Sequence, residues 1–333
     1  MIGIFRQKTP ANVLLLLIFG FLIKLPMFMP AFVQHHLPTI EQKDGILFHT
    51  ILNFLKPAGA AWPGFYAALT FLLLFTQAIS LTRIINDHRM MSRSNYLAGM
   101  SYLLITSFFP EWNYFSAPLL INSILIFVLG WLFKSYNQQS AKALIFNIGL
   151  AIGISSFIFF PSVSFTLWIF FALMVMRPFR IDEWLLFILG ITVPYYFYGV
   201  YLFFTDQWDI KKLLPYLIIH VPSLQRSIWL AASSLLLMIP FLTGGYFVQD
   251  NLRRMLIQVR KNWSLVLLYL LVAVFTPFVN STNTYENWVM AAVPFAAFHA
   301  CTYFYPSRKL FPLLLFWVTV GFVLVYQYYK PGW

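Results

Sequence analysis

Eleven apolar runs decide what this chain can fold into. They cover residues 13–33, 63–82, 95–109, 118–133, 143–160, 164–176, 184–205, 227–248, 263–280, 288–304 and 311–329. A helix that crosses the hydrocarbon of a bilayer needs about 20 apolar residues and must satisfy every backbone polar group within itself. The runs consume most of the 333 residues, and the ten connections and two tails that remain are too short to hold a folded aqueous domain. Composition agrees: 10% of the residues are charged, where soluble domains carry about 25%. The expected class is all-α, a polytopic membrane helix bundle of about 11 transmembrane helices.

The cations orient it. With the N-terminus inside and the runs alternating, the inner segments hold 15 Lys and Arg, the outer ones hold Lys43, Lys56, Lys211, Lys212, Arg226 and Lys330, and Lys24 lies within the first run. That asymmetry predicts an N-in, C-out topology. It also accounts for the net charge of +12: the cations sit singly or in pairs at helix ends and form no stripe for nucleic acid, so no nucleic-acid partner is expected. Membrane lipids are the expected surroundings, and the membrane is read as the bacterial cytoplasmic (inner) one. Arg6 and Lys8 before the first run mimic a signal peptide. That run is longer than such a segment and lacks a small-residue cleavage pattern, so it is expected to stay attached. The chain has no phosphate-binding or dinucleotide glycine motif and no HExxH, and its one cysteine, Cys301, cannot build a disulfide or thiolate framework.

Chemistry must therefore come from loops and helix ends. The inner acids Asp87, Asp182, Glu183 and Asp250 are interleaved with basic residues and read as local ion pairs. The outer acids are Glu41, Asp44, Glu111, Asp206, Asp209 and Glu286. Around Asp44, the spacing of Leu47, Phe48, Ile51, Leu52, Phe54 and Leu55 against Gly45, His49 and Asn53 predicts an amphipathic interfacial helix over 45–55, with Asp44 placed to cap it. A second interfacial helix is expected over 208–219, where Trp208 anchors at headgroup level and Lys211, Lys212, His220 and Arg226 offer cations to a lipid phosphate. Glu111 lies between Pro110 and Trp112, close to Tyr114, in a setting suited equally to a sugar or headgroup contact and to an aromatic belt.

Lys24 is a cation deep in the first run, followed by Pro26 and Pro30. A central lysine costs about 2.5–3.5 kcal/mol on insertion scales, so it is expected to face protein or a polar cavity, with a phosphate as one candidate partner. Gln77, Asn122, Asn147 and His299 are the other strongly polar in-run side chains and read as scattered, without an acid–base ladder. His35, His36, His49 and Asp44 have no recognised metal-ligand spacing, and no metal site is assigned.

The order of features resembles the GT-C superfamily of integral-membrane glycosyltransferases. The likeness covers roughly residues 1–205 and is carried by Asp44-Gly-Ile-Leu-Phe-His, Pro110-Glu111-Trp112 and Gly149-Leu-Ala-Ile-Gly153. Family members commonly have adjacent acids in the first outer loop, whereas Glu41 and Asp44 are separated here by Gln42 and Lys43. The resemblance implies a GT-C-like module over 1–205, containing about seven transmembrane helices. A C-terminal region over 206–333 adds the 206–226 segment and about four more. It implies transfer of a sugar from a polyprenyl-phosphate-linked donor on the outer face. Asp44 or Glu41 would act as base, Glu111 would position acceptor or metal, and Arg226 with Lys211, Lys212 or His220 would bind the donor phosphate. Lys24, His49 and Trp112 join the substrate-binding set. No organic cofactor is expected, and a divalent metal is the one addition the chemistry would accept.

Two other classes stand beside this one: a non-enzymatic subunit of an envelope complex with membrane-protein partners, and a lipid or small-solute transporter. An outward cavity lined by Asp44, Glu111 and Arg226 would favour the transferase. A midplane cavity would favour transport, and no cavity the scaffold.

Overall fold

The computed structural model describes residues 2–29, 38, 44–62, 64–213, 218–221, 227–280, 284–308 and 310–329, without the side chains of Lys211, Lys212 and Tyr329. Twelve helices of nine residues or more occur among them. They are α1 (Ala11–Lys24), α2 (Ile46–Ala61), α3 (Phe65–Asp87), α4 (Leu97–Ile105), α5 (Ala117–Ser135), α6 (Lys142–Ile158), α7 (Phe165–Met176), α8 (Ile181–Phe204), α9 (Ile228–Asn251), α10 (Ile257–Phe275), α11 (Ala292–Phe304) and α12 (Leu310–Tyr329). Every apolar run contains one of them, and α2 is a helix at the place where one is expected after the first run. Among the described residues seven segments are long and apolar enough to cross a bilayer: Ala11–Phe28, Phe65–Asp87, Ala117–Ser135, Ile181–Phe204, Ile228–Arg254, Ile257–Phe278 and Leu310–Tyr328. The protein is an all-α, multi-pass membrane bundle.

Two of the shorter helices, α4 and α11, have a positional reason. All nine residues of α4 are buried, and so are Ala292–Tyr303 of α11. The two pack on each other, with α1 and α3 against α4 and α9 against α11. A helix walled by protein need not match the bilayer thickness. One apolar core cluster runs from Ile2 to Val323, across the expected division at 205/206.

The alternation of helices sorts the loops into two ends. At the basic end, the Arg6 guanidinium donates to Tyr303 O (2.7 Å), Trp263 Nε1 to Met90 O (3.3 Å) and Arg177 to Ser135 O (2.6 Å). At the opposite end, Gly45 N donates to Ile158 O (2.9 Å), Trp112 Nε1 to Tyr285 O (2.8 Å) and Gln327 Nε2 to Ser107 O (3.1 Å). These pairings join loops that the sequence assigned to one side. Of the four acids expected to pair at the basic end, two do: Asp182 with Lys142 (3.1 Å) and Glu183 with Arg177 (2.6 Å). Asp87 and Asp250 are exposed and form no ion pair among the described residues, because solvent already stabilises their charge.

Two expected interfacial helices resolve differently. The first is longer than 45–55, running from Ile46 to Ala61 through Pro57. Phe48 and Leu52 are buried, while Ile46, Leu47 and Phe54 face outward. Its N-cap is Gly45, not Asp44, and a Cβ on Gly45 would stand 2.0 Å from Phe157 O, so only glycine lets α2 dock this closely on the end of α6. The second, expected over 208–219, is corrected: one turn forms at Ile210–Leu213, and Ile219 pairs in an antiparallel bridge with Val279. Residues 214–217 lie outside the described set. Pro215 removes a donor from the middle of the expected helix. Residues 218–220 find backbone partners at 278–280 instead: Asn280 N donates to Ile218 O (2.7 Å) and His220 N to Phe278 O (3.0 Å).

The Gly149-to-Gly153 motif also has a packing role. It lets α6 approach α8 closely, since a Cβ at Gly149 would meet Phe187 O at 2.3 Å and one at Gly190 would meet Phe146 O at 2.4 Å. Backbone oxygens cannot swing aside. Gly149→Ala and Gly190→Ala should each lower unfolding stability in detergent by about 1–3 kcal/mol. Gly245→Ala, where nothing lies within 4 Å, should not. Equal stability of all three variants would contradict this packing.

Candidate functional site

The site starts from a break in a helix. Pro26 has no N–H to continue the α-helical ladder, so α1 ends at Lys24 and tightens into a 3-10 turn over Leu25–Phe28. The side chain of Lys24 is fully buried, as expected for a cation kept from lipid. Its ammonium donates to Asn113 Oδ1 (2.6 Å) and Ser107 Oγ (3.1 Å). Both partners are neutral.

Those partners bracket a short connection between α4 and α5. Pro110 opens a single 3-10 turn, Pro110–Asn113, at a position where its missing N–H costs nothing. The turn buries Trp112 and Asn113. Trp112 packs on Phe109 (ring centroids 4.7 Å apart) and spends its indole N–H on Tyr285 O; Phe109 stacks on Tyr285 (5.8 Å). Gln327, near the end of α12, closes the group from the other side through Ser107 O.

Glu111 lies on that turn. Its Oε2 is buried and has no hydrogen-bond partner among the described residues. Burial pushes the Glu111 carboxyl above its ordinary value, partly offset by its own backbone N–H. The carboxylate is within electrostatic reach of Tyr114, Tyr285 and Tyr326. The Tyr114 hydroxyl is raised by burial first and then by the charges of Glu111, Glu286 and Tyr326; that of Tyr285 is raised by burial and then by Glu111. The turn thus carries a carboxyl biased toward holding its proton at higher pH, the behaviour general acid–base chemistry requires.

An apolar cavity of about 240 Å³ lies beside it, with Phe109, Trp112, Leu237, Met238, Trp288 and Phe295 in its walls. Trp112 and Tyr285 belong both to this cavity and to the surroundings of Glu111.

The other expected site residues fall as follows. Asp44 is half-buried, bridged through its backbone to Phe159, and Phe48 one turn later stacks on Phe115, four residues beyond Glu111 (6.0 Å). His49 is half-buried within α2. His220 is exposed on the 218–221 segment. Lys211 and Lys212 lie on the turn at 210–213 with side chains outside the described set, and Glu41, Arg226, His35 and His36 lie outside it altogether. The expected meeting of Asp44, Glu111 and Arg226 therefore reduces to two acids at one end of the bundle, with their loops in touch through Phe48 and Phe115. Among the described residues no three His, Cys, Asp or Glu side chains gather as a metal ion would need.

Sequence reasoning missed the roles of Ser107, Asn113, Tyr326 and Gln327, which depend on which chain segments meet. It also read Gln77 and Asn122 as scattered. Instead Asn122 Nδ2 donates to the Tyr102 hydroxyl (2.8 Å), Tyr102 donates to Gln77 Oε1, Gln77 Nε2 donates to Leu119 O (2.8 Å) and Tyr269 donates to Asn122 Oδ1 (3.3 Å). This is one network tying α3, α4, α5 and α10 together. His299 is bonded to Leu237 O (2.8 Å) and Asn147 is exposed.

Comparison with protein-family models, curated proteins and solved structures gives no match.

The buried carboxyl sets a pH dependence. The folded protein holds the Glu111 proton more tightly than the unfolded chain, where the ordinary value is 4.5. This contribution to stability is present in full below that value and is lost as pH rises through the folded-state value. Unfolding followed against pH should show that decline, and Glu111→Gln should flatten it. An identical pH profile in the variant would contradict the assignment.

Proposed function

We propose that the protein is a membrane transferase of the GT-C kind. All eleven runs cross a bacterial inner membrane, N-in and C-out, with the short helices α4 and α11 enclosed by protein. A sugar is taken from a polyprenyl-phosphate donor at the outer face. The observation that carries this reading is the juxtaposition at one bundle end of a buried, partly unsatisfied carboxyl and an apolar cavity that share Trp112 and Tyr285. A lipid-linked substrate has that same division: a hydrocarbon chain for the cavity and a polar reacting group for the carboxyl.

In this reading Glu111, not Asp44, is the general base. It takes the proton of the acceptor hydroxyl as that oxygen bonds to the anomeric carbon. The bond from that carbon to the donor phosphate oxygen breaks, and its electron pair leaves on the lipid phosphate. Lys24 holds the catalytic turn through Asn113 and Ser107 and is a positioning residue. Asp44 and Glu41 remain candidates for orienting the acceptor, and Lys211, Lys212, His220 and Arg226 for the leaving phosphate.

Membrane vesicles enriched in the protein, supplied with a panel of radiolabelled monosaccharide polyprenyl phosphates, test this through loss of label from the donor lipid. Glu111→Gln keeps the side-chain shape and should slow transfer roughly 10²–10⁴-fold. Leu237→Trp, which fills the cavity, should raise the KM for the lipid donor more than it lowers kcat. Wild-type vesicles no more active than empty ones, or an undiminished rate with Glu111→Gln, would refute the reading.

A further inference from the structure

A second concavity lies at the basic end, away from Glu111. Its volume is about 540 Å³, and its walls include Arg89, Arg93, Arg254, Ser92, Ser94 and Tyr305. Arg89 and Arg93 come from the connection between α3 and α4, and Arg254 from the connection between α9 and α10. Among the described residues no carboxylate lines the cavity. The acids of this end are elsewhere: Asp182 and Glu183 pair with Lys142 and Arg177, and Asp87 and Asp250 do not reach the cavity. None of the three arginine side chains has a hydrogen bond or ion pair among the described residues.

Three cations on the walls of one hollow favour an anion there. The loop bearing two of them is built to stay in place. Buried Asn86 donates to Asn95 O (2.9 Å) and accepts from Asn95 N (3.0 Å). Asn95 in turn donates to Arg93 O (2.9 Å) and accepts from Leu97 N (3.0 Å). The Trp263 indole fixes the loop once more at Met90 O (3.3 Å). Within this clasp Arg89 is held at φ 50°, in the left-handed region that a long side chain seldom occupies. A clasped loop and three arginines on the walls of one hollow are the parts of an anion receptor, and the planar fork of arginine matches phosphate oxygens two at a time. Generic attraction to anionic lipid needs neither a hollow nor a clasped loop.

We propose that this cavity binds a phosphate group, carried either by a lipid headgroup or by a soluble phosphate, through Arg89, Arg93 and Arg254. The test uses the full chain in nanodiscs. In discs of phosphatidylcholine with added phosphatidic acid, native mass spectrometry counts the phosphatidic acid retained per protein. In discs of phosphatidylcholine alone, inorganic phosphate is titrated calorimetrically. Arg93→Ala and Arg254→Ala should weaken binding about tenfold or more, the loss expected for a charge-assisted hydrogen bond. Arg253→Ala removes the same charge one residue away, outside the cavity, and should leave binding unchanged. That pattern with phosphatidic acid assigns a lipid headgroup, and with inorganic phosphate a soluble ligand; either upholds the site. Failure of the wild type to bind both probes would overturn it. So would undiminished binding in Arg93→Ala and Arg254→Ala, or an equal loss with Arg253→Ala.

Discussion

The ammonium of Lys24 must be satisfied without water, and much of the opposite end of the bundle is arranged around that need. A charge enclosed among apolar helices is expensive unless hydrogen-bond acceptors surround it. Asn113 Oδ1 and Ser107 Oγ supply them, which ties the end of α1 to both sides of the connection between α4 and α5. In the turn at 110–113 Trp112 donates to the carbonyl of Tyr285, and Glu111 is half-buried, its Oε2 out of solvent, within electrostatic reach of Tyr114 and Tyr285. The position of the Glu111 carboxyl is thus coupled to the cost of burying a lysine 87 residues earlier in the chain.

Between helices in a bilayer the hydrophobic effect gives little direction, because lipid tails are as apolar as leucine. Close packing and internal hydrogen bonds have to hold the bundle. Both are visible here. The glycines of α6 and α8 bring two backbones into contact, and the network of Gln77, Tyr102, Asn122 and Tyr269 joins four helices at the centre. Around these, α4 and α11 form an inner pair that touches only protein, and the longer helices carry the lipid-facing surface.

What was legible in the sequence reflects the same physics. Each apolar run became a helix, because length and hydropathy report the need to satisfy the backbone. The runs at 95–109 and 288–304 gave no warning that their helices would be interior, since a leucine facing lipid and one facing protein are written alike. The depth of Lys24 made its burial in protein readable, but its partners were not, because Ser107 and Asn113 are ordinary loop residues until the fold brings them near. The expected helix at 208–219 gives way, among the described residues, to one turn at Ile210–Leu213 and to the backbone pairing of 218–220 with 278–280. Glu111 was singled out from its neighbours Trp112 and Tyr114, yet its burial depended on Tyr285 and Tyr326, more than 170 residues further along.

The two ends now divide the chemistry, with an arginine-lined hollow on one side and a buried carboxyl beside an apolar cavity on the other. Photo-cross-linking with a polyprenyl phosphate bearing a diazirine in its first isoprene units addresses the central claim most directly. Peptide mapping should find the label on the cavity walls, at Leu237, Met238 or Trp288, with competition by unlabelled polyprenyl phosphate. Label spread along the lipid-exposed faces of α8 and α9, and insensitive to competition, would contradict a lipid-linked substrate at this site.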